Sequence, residues 1–206
     1  MKSLVSEKMG QHDYELKIID SLPPVQDLHS LAVGDIDEDG QLEIVTGGEG
    51  ALFWYKPHTL QRGTIDSSFF HVGLSIVDID NDKKPEVVAA EQDLRTREFR
   101  IVWYKVPPDL NEPWPKFVLD PLCSGCPHDL LYVDIDADED WELLATAVYT
   151  NQPGIFLYKR TANARSFWKK HAISQGTMSE ALAVSDLDGD GKLEIVSGPD
   201  WYRMPA

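Results

Sequence analysis

The sequence is poor in cysteine, in basic residues and in long apolar runs, and each shortage disfavours particular classes of protein or binding partner. No apolar stretch approaches about 18 residues, so the sequence predicts no membrane-spanning helix and no membrane insertion. The first residues, MKSLVSEKMG, lack the apolar region of a signal peptide, so none is expected. Lysine and arginine number 19 against 35 acids, and the net charge of -16 disfavours nucleic acid or an anionic membrane as a partner.

The two cysteines, Cys123 and Cys126, form a single Cys-x-x-Cys in PLCSGCPHD. A structural zinc site takes four ligands, and the sequence has no second pair to supply the other two. A local redox pair stays open, and an ordinary loop is the interpretation that we expect.

What the sequence does contain is an aspartate-rich segment that occurs four times: DIDEDGQLE from Asp35, DIDNDKKPE from Asp78, DIDADEDWE from Asp134 and DLDGDGKLE from Asp186. Each copy reads Asp-x-Asp-x-Asp-x-x-x-Glu, and these carboxylates with one backbone carbonyl supply the oxygen ligands that Ca²⁺ takes. The predicted ligands account for 16 of the 35 acids. They are Asp35, Asp37, Asp39, Glu43, Asp78, Asp80, Asp82, Glu86, Asp134, Asp136, Asp138, Glu142, Asp186, Asp188, Asp190 and Glu194.

Acidic surface turns are the alternative, since aspartate and glycine favour turns for local reasons. Four copies with one spacing favour metal binding over that alternative. Gly40 and Gly191 stand at the sixth position, where a tight metal loop requires positive φ. Lys83 and Glu139 stand there in the second and third copies, so we expect those two sites to be weaker.

Apolar runs flank each aspartate segment, as SLAVGDID and LEIVTGG do in the first copy. Short runs rich in valine, isoleucine and leucine around a tight polar turn predict a β-hairpin with the metal in its turn. A third strand with an aromatic core follows each hairpin, at 51–57, 99–107, 154–160 and 201–205. A fourth strand precedes each unit, at 16–20, 62–66, 116–120 and 169–174.

The repeat length indicates the fold, because the anchors at 35, 78, 134 and 186 are 43, 56 and 52 residues apart. Four-stranded antiparallel repeats of this length are typical of a β-propeller. We therefore predict an all-β protein with an N-terminal tail at 1–13 and a propeller of about four blades at 14–206. Two arrangements stay open: the strand at 16–20 completes the last blade and closes the ring, or the chain is a segment of a larger propeller.

The pattern resembles the FG-GAP and VCBS repeat propellers over nearly all of residues 14–205. The repeated apolar strands around the aspartate loop and the WYK or LYK after it carry the resemblance. The literal Phe-Gly and Gly-Ala-Pro pieces are absent, so the chain is more similar to the VCBS version. The resemblance implies structural calcium and an extracellular setting, whereas a complete chain of this kind is expected in the cytoplasm. Members include adhesion modules, polysaccharide lyases and sugar dehydratases, so the activity stays open.

Ionisable residues recur at the other end of the predicted first strands. Six residues before the first aspartate of each loop stand His29, Val72, His128 and Glu180, with His71 one place earlier in the second repeat. At about 3.3 Å per residue they lie about 20 Å from the loops, where inner strands line the channel. We predict that His29, His128 and Glu180 converge at one channel mouth as catalytic candidates.

Two imidazoles and a carboxylate suit Zn²⁺ or another divalent transition metal with an open position. Without a metal, the same groups could serve as general base and acid. Polar residues at a wet channel rim are the alternative. Ionisable groups at three of the four equivalent positions make a functional role more plausible than a lone histidine would. The arrangement also has a partial similarity to the propeller of sugar dehydratases such as aldos-2-ulose dehydratase, in which histidines precede aspartate loops.

Three functions stay open. The first is a calcium-stabilised propeller that binds a ligand, with carbohydrate as the expected class. The second is a sugar lyase or dehydratase, a carbon-oxygen lyase with its site at the channel mouth. The third is a structural module with a protein partner.

Overall fold

A computed structural model of the chain describes residues 15–25, 27–176 and 178–204, and within them the backbone forms four antiparallel β-sheets. These residues contain no helix, and hence none long and apolar enough to cross a membrane. The predicted tail at 1–13 lies outside the described residues, as do positions 14, 26, 177, 205 and 206 of the predicted domain.

The first two sheets have four strands each, joined in chain order. The first sheet consists of β1 (Leu28–Gly34), β2 (Glu43–Gly48), β3 (Ala51–Lys56) and β4 (Gln61–Asp66). The second consists of β5 (Phe69–Val77), β6 (Glu86–Gln92), β7 (Phe99–Lys105) and β8 (Lys116–Cys123). In each sheet an aspartate segment joins the first strand to the second, as the hairpin prediction requires.

The third sheet repeats this arrangement, and the fourth has three strands. The third sheet consists of β9 (Cys126–Val133), β10 (Glu142–Val148), β11 (Gly154–Lys159) and β12 (Lys169–Gln175). The fourth consists of β13 (Ala183–Ser185), β14 (Glu194–Ser197) and β15 (Asp200–Tyr202). Meandering four-stranded sheets in series are blades, so the predicted all-β blade architecture is confirmed.

The prediction of a strand at 16–20 is wrong, because these residues take no strand conformation. A strand needs a neighbour to satisfy its backbone, and β15 pairs only with β14 among the described residues. Ile19 instead packs on the cluster formed by Ala51, Phe53 and Tyr55. The strand predicted at 201–205 is also shorter, since β15 ends at Tyr202.

The cores lie between consecutive sheets. Trp54 of β3 packs between the first and second sheets, Trp103 of β7 between the second and third, and Leu157 of β11 between the third and fourth. The central strands β6 and β10 are buried along almost their whole length, because neighbouring sheets cover both of their faces. Each sheet is therefore held in place by packing against the next.

A tyrosine in each third strand adds a polar link to the preceding unit. Tyr104 donates a hydrogen bond of 2.9 Å to Asp66 at the end of β4, and Tyr158 donates one of 2.8 Å to Asp120 in β8. Tyr55 reaches Asp20 in the same way at 2.8 Å. Asp20 thus stands against the first sheet as Asp66 stands against the second, although residues 16–20 are not a strand.

Candidate functional site

All four aspartate loops share one conformation. In the first loop, the Asp35 carboxylate accepts hydrogen bonds of 3.0 Å from the backbone N–H of both Asp39 and Gly40. The equivalent bonds run to Asp78, Asp134 and Asp186 in the other loops. The first aspartate therefore folds each loop around its own carboxylate.

The glutamate at the ninth position links the two ends of each loop, because its carboxylate accepts a hydrogen bond from the backbone N–H of the second loop residue. Glu43 accepts a hydrogen bond of 3.0 Å from the N–H of Ile36, and Glu86 accepts one of 3.0 Å from Ile79. Glu142 and Glu194 do the same at 3.3 and 2.9 Å. All four glutamates are buried, which explains why the chain keeps an acid at the first residue of each second strand.

The sixth position has positive φ in every loop, whichever residue stands there. Gly40 and Gly191 have φ of 85° and 86°, whereas Lys83 and Glu139 have φ of 71° and 69°. A side chain in this region costs conformational energy that glycine avoids. The second and third loops therefore hold the same geometry under strain, which is the physical basis of the expectation that they bind more weakly.

The loops gather most of the predicted ligands into compact groups whose oxygen atoms lie within 4.8 Å of one another. The second loop brings all four together, and each other loop brings three. Glu43, Asp138 and Asp190 fall outside these groups. The grouped residues are Asp35, Asp37, Asp39, Asp78, Asp80, Asp82, Glu86, Asp134, Asp136, Glu142, Asp186, Asp188 and Glu194.

A basic residue at the end of each third strand projects into its loop, a feature that our reasoning from the sequence missed. Lys105 Nζ lies 2.8 Å from oxygens of both Asp80 and Glu86 and also pairs with Asp82. Lys159 lies 2.6 Å from Asp136, and the equivalent residues Lys56 and Arg203 pair with the first and fourth loops. The signal was the basic residue that ends every WYK, LYK and WYR.

The charges in the loops shift one another's ionisation. The hydrogen bonds that Lys56 donates to Asp37 and Asp39 raise the pKa of the Lys56 ammonium, and the bond to Asp39 lowers the pKa of that carboxyl. Burial raises the pKa of Glu86 to about 7, with the nearby Asp80 charge acting in the same direction. A single ammonium thus only partly offsets the crowded carboxylates, and a divalent cation would favour their ionised forms further.

Three buried carboxylate oxygens in these loops have no hydrogen-bond partner among the described residues. They belong to Asp37, Asp80 and Glu194. The Glu194 side chain is completely buried, and the Arg203 Nε atom at 3.6 Å is its ionic contact. Buried polar atoms normally have partners, so free oxygens facing a carboxylate group fit a bound hard cation such as Ca²⁺.

Of the residues predicted at the channel mouth, His29 and His128 lie near the starts of β1 and β9, whereas Glu180 lies three residues before β13. His71 lies in β5 and contacts His29. The rings of His29 and His71 are stacked with centroids 5.3 Å apart, and Phe69 and Phe99 pack on His71. Burial lowers the pKa of His71, and the neighbouring His29 and His128 act in the same direction. His29 Nε2 is buried with no hydrogen-bond partner in the described part of the chain.

His128 and Glu180 are brought together by direct contacts. His128 Nδ1 lies 3.0 Å from the Glu180 carbonyl oxygen, and Nε2 lies 3.9 Å from its carboxylate. Tyr149 also donates a hydrogen bond to the Glu180 carboxylate. Tyr149 was not among the predicted catalytic residues, although its place in a loop after a second strand put it on this face.

The predicted transition-metal set is not compact at this mouth. Groups of three or more potential ligand atoms within 4.8 Å occur, among the described residues, at the aspartate loops only, and no histidine belongs to one. The zinc alternative stays a prediction from the sequence alone. The geometry is that of two contact groups, one of His29, Phe69, His71 and Phe99 and the other of His128, Tyr149 and Glu180.

Blades in series, each with an acidic loop between its first two strands, define a propeller-like repeat protein. Residues 134–197, which span the third loop to the end of β14, match the FG-GAP-like repeat family. Together with the four antiparallel sheets, this match fits an FG-GAP repeat propeller-like fold, as the loop pattern predicted. No curated protein matches the chain.

Proposed function

We propose that the chain is a calcium-binding, propeller-like module in which each aspartate loop takes one Ca²⁺. The observation that carries the proposal is that Asp37, Asp80 and Glu194, members of the acidic groups, each have a buried carboxylate oxygen without a hydrogen-bond partner among the described residues. The shared loop backbone supports it, because positive φ and the first aspartate's two accepted hydrogen bonds hold the oxygens around one point.

Calcium in this proposal acts on stability and not as a reactant. A cation that binds only the folded loop stabilises the fold by mass action, by about 2.7 kcal/mol when its concentration is a hundred times its dissociation constant. Because each loop joins two strands that pack against neighbouring sheets, the stabilisation reaches the interfaces between blades.

Replacing Asp186 and Asp190 with asparagine tests this proposal at the fourth loop. The double substitution should lower the calcium stoichiometry by one and reduce the calcium-dependent rise in melting temperature. Asp109→Asn is the control, since Asp109 accepts the Asn111 N–H in a turn outside the repeated loops. Unchanged stoichiometry in the double variant would mean that the fourth loop is only an acidic turn.

The residues predicted at the channel mouth form the second proposed site, where a small ligand binds, with carbohydrate as the proposed class. The specific observation is the contact group of His128, Tyr149 and Glu180, which presents hydrogen-bonding groups beside an exposed aromatic ring. Sugars are bound by groups of this kind, which combine an aromatic face with polar atoms that fix orientation.

The enzyme alternative uses the same residues. In a sugar lyase or dehydratase, an imidazole of His29 or His128 would remove a proton next to a carbonyl or carboxylate, and Glu180 would act as the acid. Replacing His29 and His128 with alanine separates the alternatives. Lost turnover at an unchanged melting temperature supports catalysis, whereas lost glycan binding without any turnover in the wild-type protein supports a binding module.

A further inference from the structure

Consecutive sheets meet through one repeated interface. We call the face of a sheet that packs on the next sheet along the chain its trailing face, and the face that packs on the preceding sheet its leading face. The trailing face carries the aliphatic residue at the second loop position and a large residue in the third strand, such as Ile36 and Trp54 in the first sheet. The leading face of the next sheet carries two residues in or just before the first strand and the third-strand tyrosine. These leading residues are Leu74, Ile76 and Tyr104; Leu130, Tyr132 and Tyr158; and Leu182, Val184 and Tyr202.

On the leading face of the first sheet the third-strand Tyr55 is buried under the segment before β1, but the two first-strand residues are uncovered. Leu31 and Val33 stand where Leu74 and Ile76 stand in the second sheet, and they are 66% and 53% exposed. Large apolar side chains this exposed at positions that are interface elsewhere in the fold mark an interaction surface.

The trailing face of the fourth sheet is uncovered in the complementary way. Leu187 occupies the second loop position, where Ile36 is 2% exposed, yet Leu187 is 52% exposed. Trp201 occupies the third-strand position of Trp54 and is 50% exposed, whereas Trp54 is 2% exposed. None of the four apolar clusters in the described residues joins the fourth sheet to the first.

We propose that the leading face of the first sheet docks on the trailing face of the fourth sheet of a second copy of this chain. The two faces are the two halves of the interface that the chain already forms three times, so the docking contact continues an established interface. Two copies arranged head to tail cover both end faces of both chains and give a closed ring of about eight blades, within the usual range of four to eight.

The position of residues 15–20, before β1, supports the docking of a partner blade on the leading face of the first sheet. Asp20 accepts hydrogen bonds from Tyr55 and Arg62, as Asp66 accepts them from Tyr104 and Lys116 at the next boundary. Residues 15–20 are therefore held where the outer strand of a preceding blade belongs. Among the described residues the fourth sheet has three strands with β15 at its edge, so this segment can add a fourth strand beside β15 of the partner.

Light scattering coupled to size exclusion tests the proposal with three variants. The wild-type chain should have twice the mass of one 23.2 kDa chain, and Leu31→Lys or Trp201→Lys should each weaken self-association at least about tenfold. Phe167→Lys is the matched control, because Phe167 is an exposed aromatic residue away from both end faces and should leave the dimer intact.

Mixing the two end-face variants distinguishes head-to-tail docking from other dimers. A Leu31→Lys chain keeps its trailing face and a Trp201→Lys chain keeps its leading face, so the mixture retains one intact interface and should form a mixed dimer. A monomeric wild-type chain would overturn the proposal, as would dimers that survive both substitutions. Failure of the mixture to associate would also overturn the proposal. That result would indicate a dimer in which each chain uses the same face, since mixing the two variants does not restore such a contact.

Discussion

The Tyr104 hydroxyl lies 2.9 Å from the Asp66 carboxylate across the boundary between the second and first sheets. Tyr104 is buried, and Asp66 is also held by Lys116 at 2.9 Å. Burial raises the pKa of Tyr104, and the Asp66 charge acts in the same direction, so the phenol stays a donor over the whole working pH range. This bond ties neighbouring blades together through a charged acceptor.

Removing this hydroxyl should therefore weaken the fold measurably. We expect Tyr104→Phe to lower the free energy of unfolding by about 1.5–3 kcal/mol, the range for hydrogen bonds to charged groups. Tyr202→Phe is the matched control, since its hydroxyl meets the neutral Ser174 at 3.2 Å and should cost about 0.5–1.5 kcal/mol. Denaturant unfolding measures both, and equal losses would contradict the role of the charged acceptor.

The third-strand lysine should stabilise each loop when calcium is absent. Lys105→Met leaves the buried Glu86 beside Asp80 with no counter-charge, so the metal-free protein should lose about 3 kcal/mol of unfolding free energy. Added calcium should restore much of this loss, because it supplies positive charge to the same oxygens.

Lys84→Met is the control for this substitution. Lys84 pairs with Glu38 at 3.4 Å, but both side chains are exposed, so the change should cost about 0–1 kcal/mol with or without calcium. Unfolding of both variants in chelator and in calcium provides the comparison. A Lys105→Met protein as stable as Lys84→Met in chelator would contradict the counter-charge role.

The histidine cluster should make stability depend on pH. Because burial lowers the pKa of His71 in the folded state, the unfolded chain binds its proton more readily. The contribution of His71 to stability should therefore be complete above its unfolded pKa of about 6.5 and should fall as the pH drops below that value.

His71→Phe isolates this effect, since phenylalanine keeps the ring contacts with His29 and Phe99 but cannot be protonated. The difference in unfolding free energy between the wild type and this variant should shift against the wild type between pH 7.5 and pH 5. The test uses this difference because the stability of the wild type alone also depends on Glu86. Burial raises the pKa of Glu86, so its contribution to the unfolding free energy changes with pH in the opposite direction. A difference that does not change with pH would show that His71 is not held neutral.

The two cysteines should be unreactive in the folded protein. Cys123 and Cys126 are free and buried, and burial raises the pKa of both thiols, to about 12 for Cys126. Reactive thiolates need a lowered pKa and access to solvent, and these residues have neither. A thiol reagent should label both only after unfolding, and rapid labelling of native protein would revive the redox interpretation.

The loops and hairpins could be predicted from the sequence because their causes are local. A fixed spacing of carboxylates, with Asp35 accepting bonds from residues four and five positions later, acts within one turn. The segment at 16–20 could not be predicted in this way. Its residues have strand character, but a strand forms only with a paired neighbour, and that neighbour depends on where distant sheets lie.

Register explains why the mouth was predicted only in part. Counting back from Asp78 gives Val72, but the pairing of β5 with β6 shifts between Phe70 and Leu74, so counted positions no longer correspond there. The irregularity leaves His71, and not Val72, in the cluster with His29. A bulge of this kind depends on packing between strands and has no signal in residue spacing. The pairing of Lys105 with Asp80 was missed because it joins the end of β7 to the loop between β5 and β6, 25 residues earlier.

Calcium binding by the wild-type chain is the most direct test of the proposed function. The protein would be purified without added metal, stripped with a chelator and titrated with Ca²⁺, with bound calcium and melting temperature followed together. The four acidic groups predict about four bound Ca²⁺ per chain, with the first and fourth loops filling first, and a higher melting temperature that chelation reverses. No uptake at millimolar calcium and one melting temperature with and without chelator would contradict it.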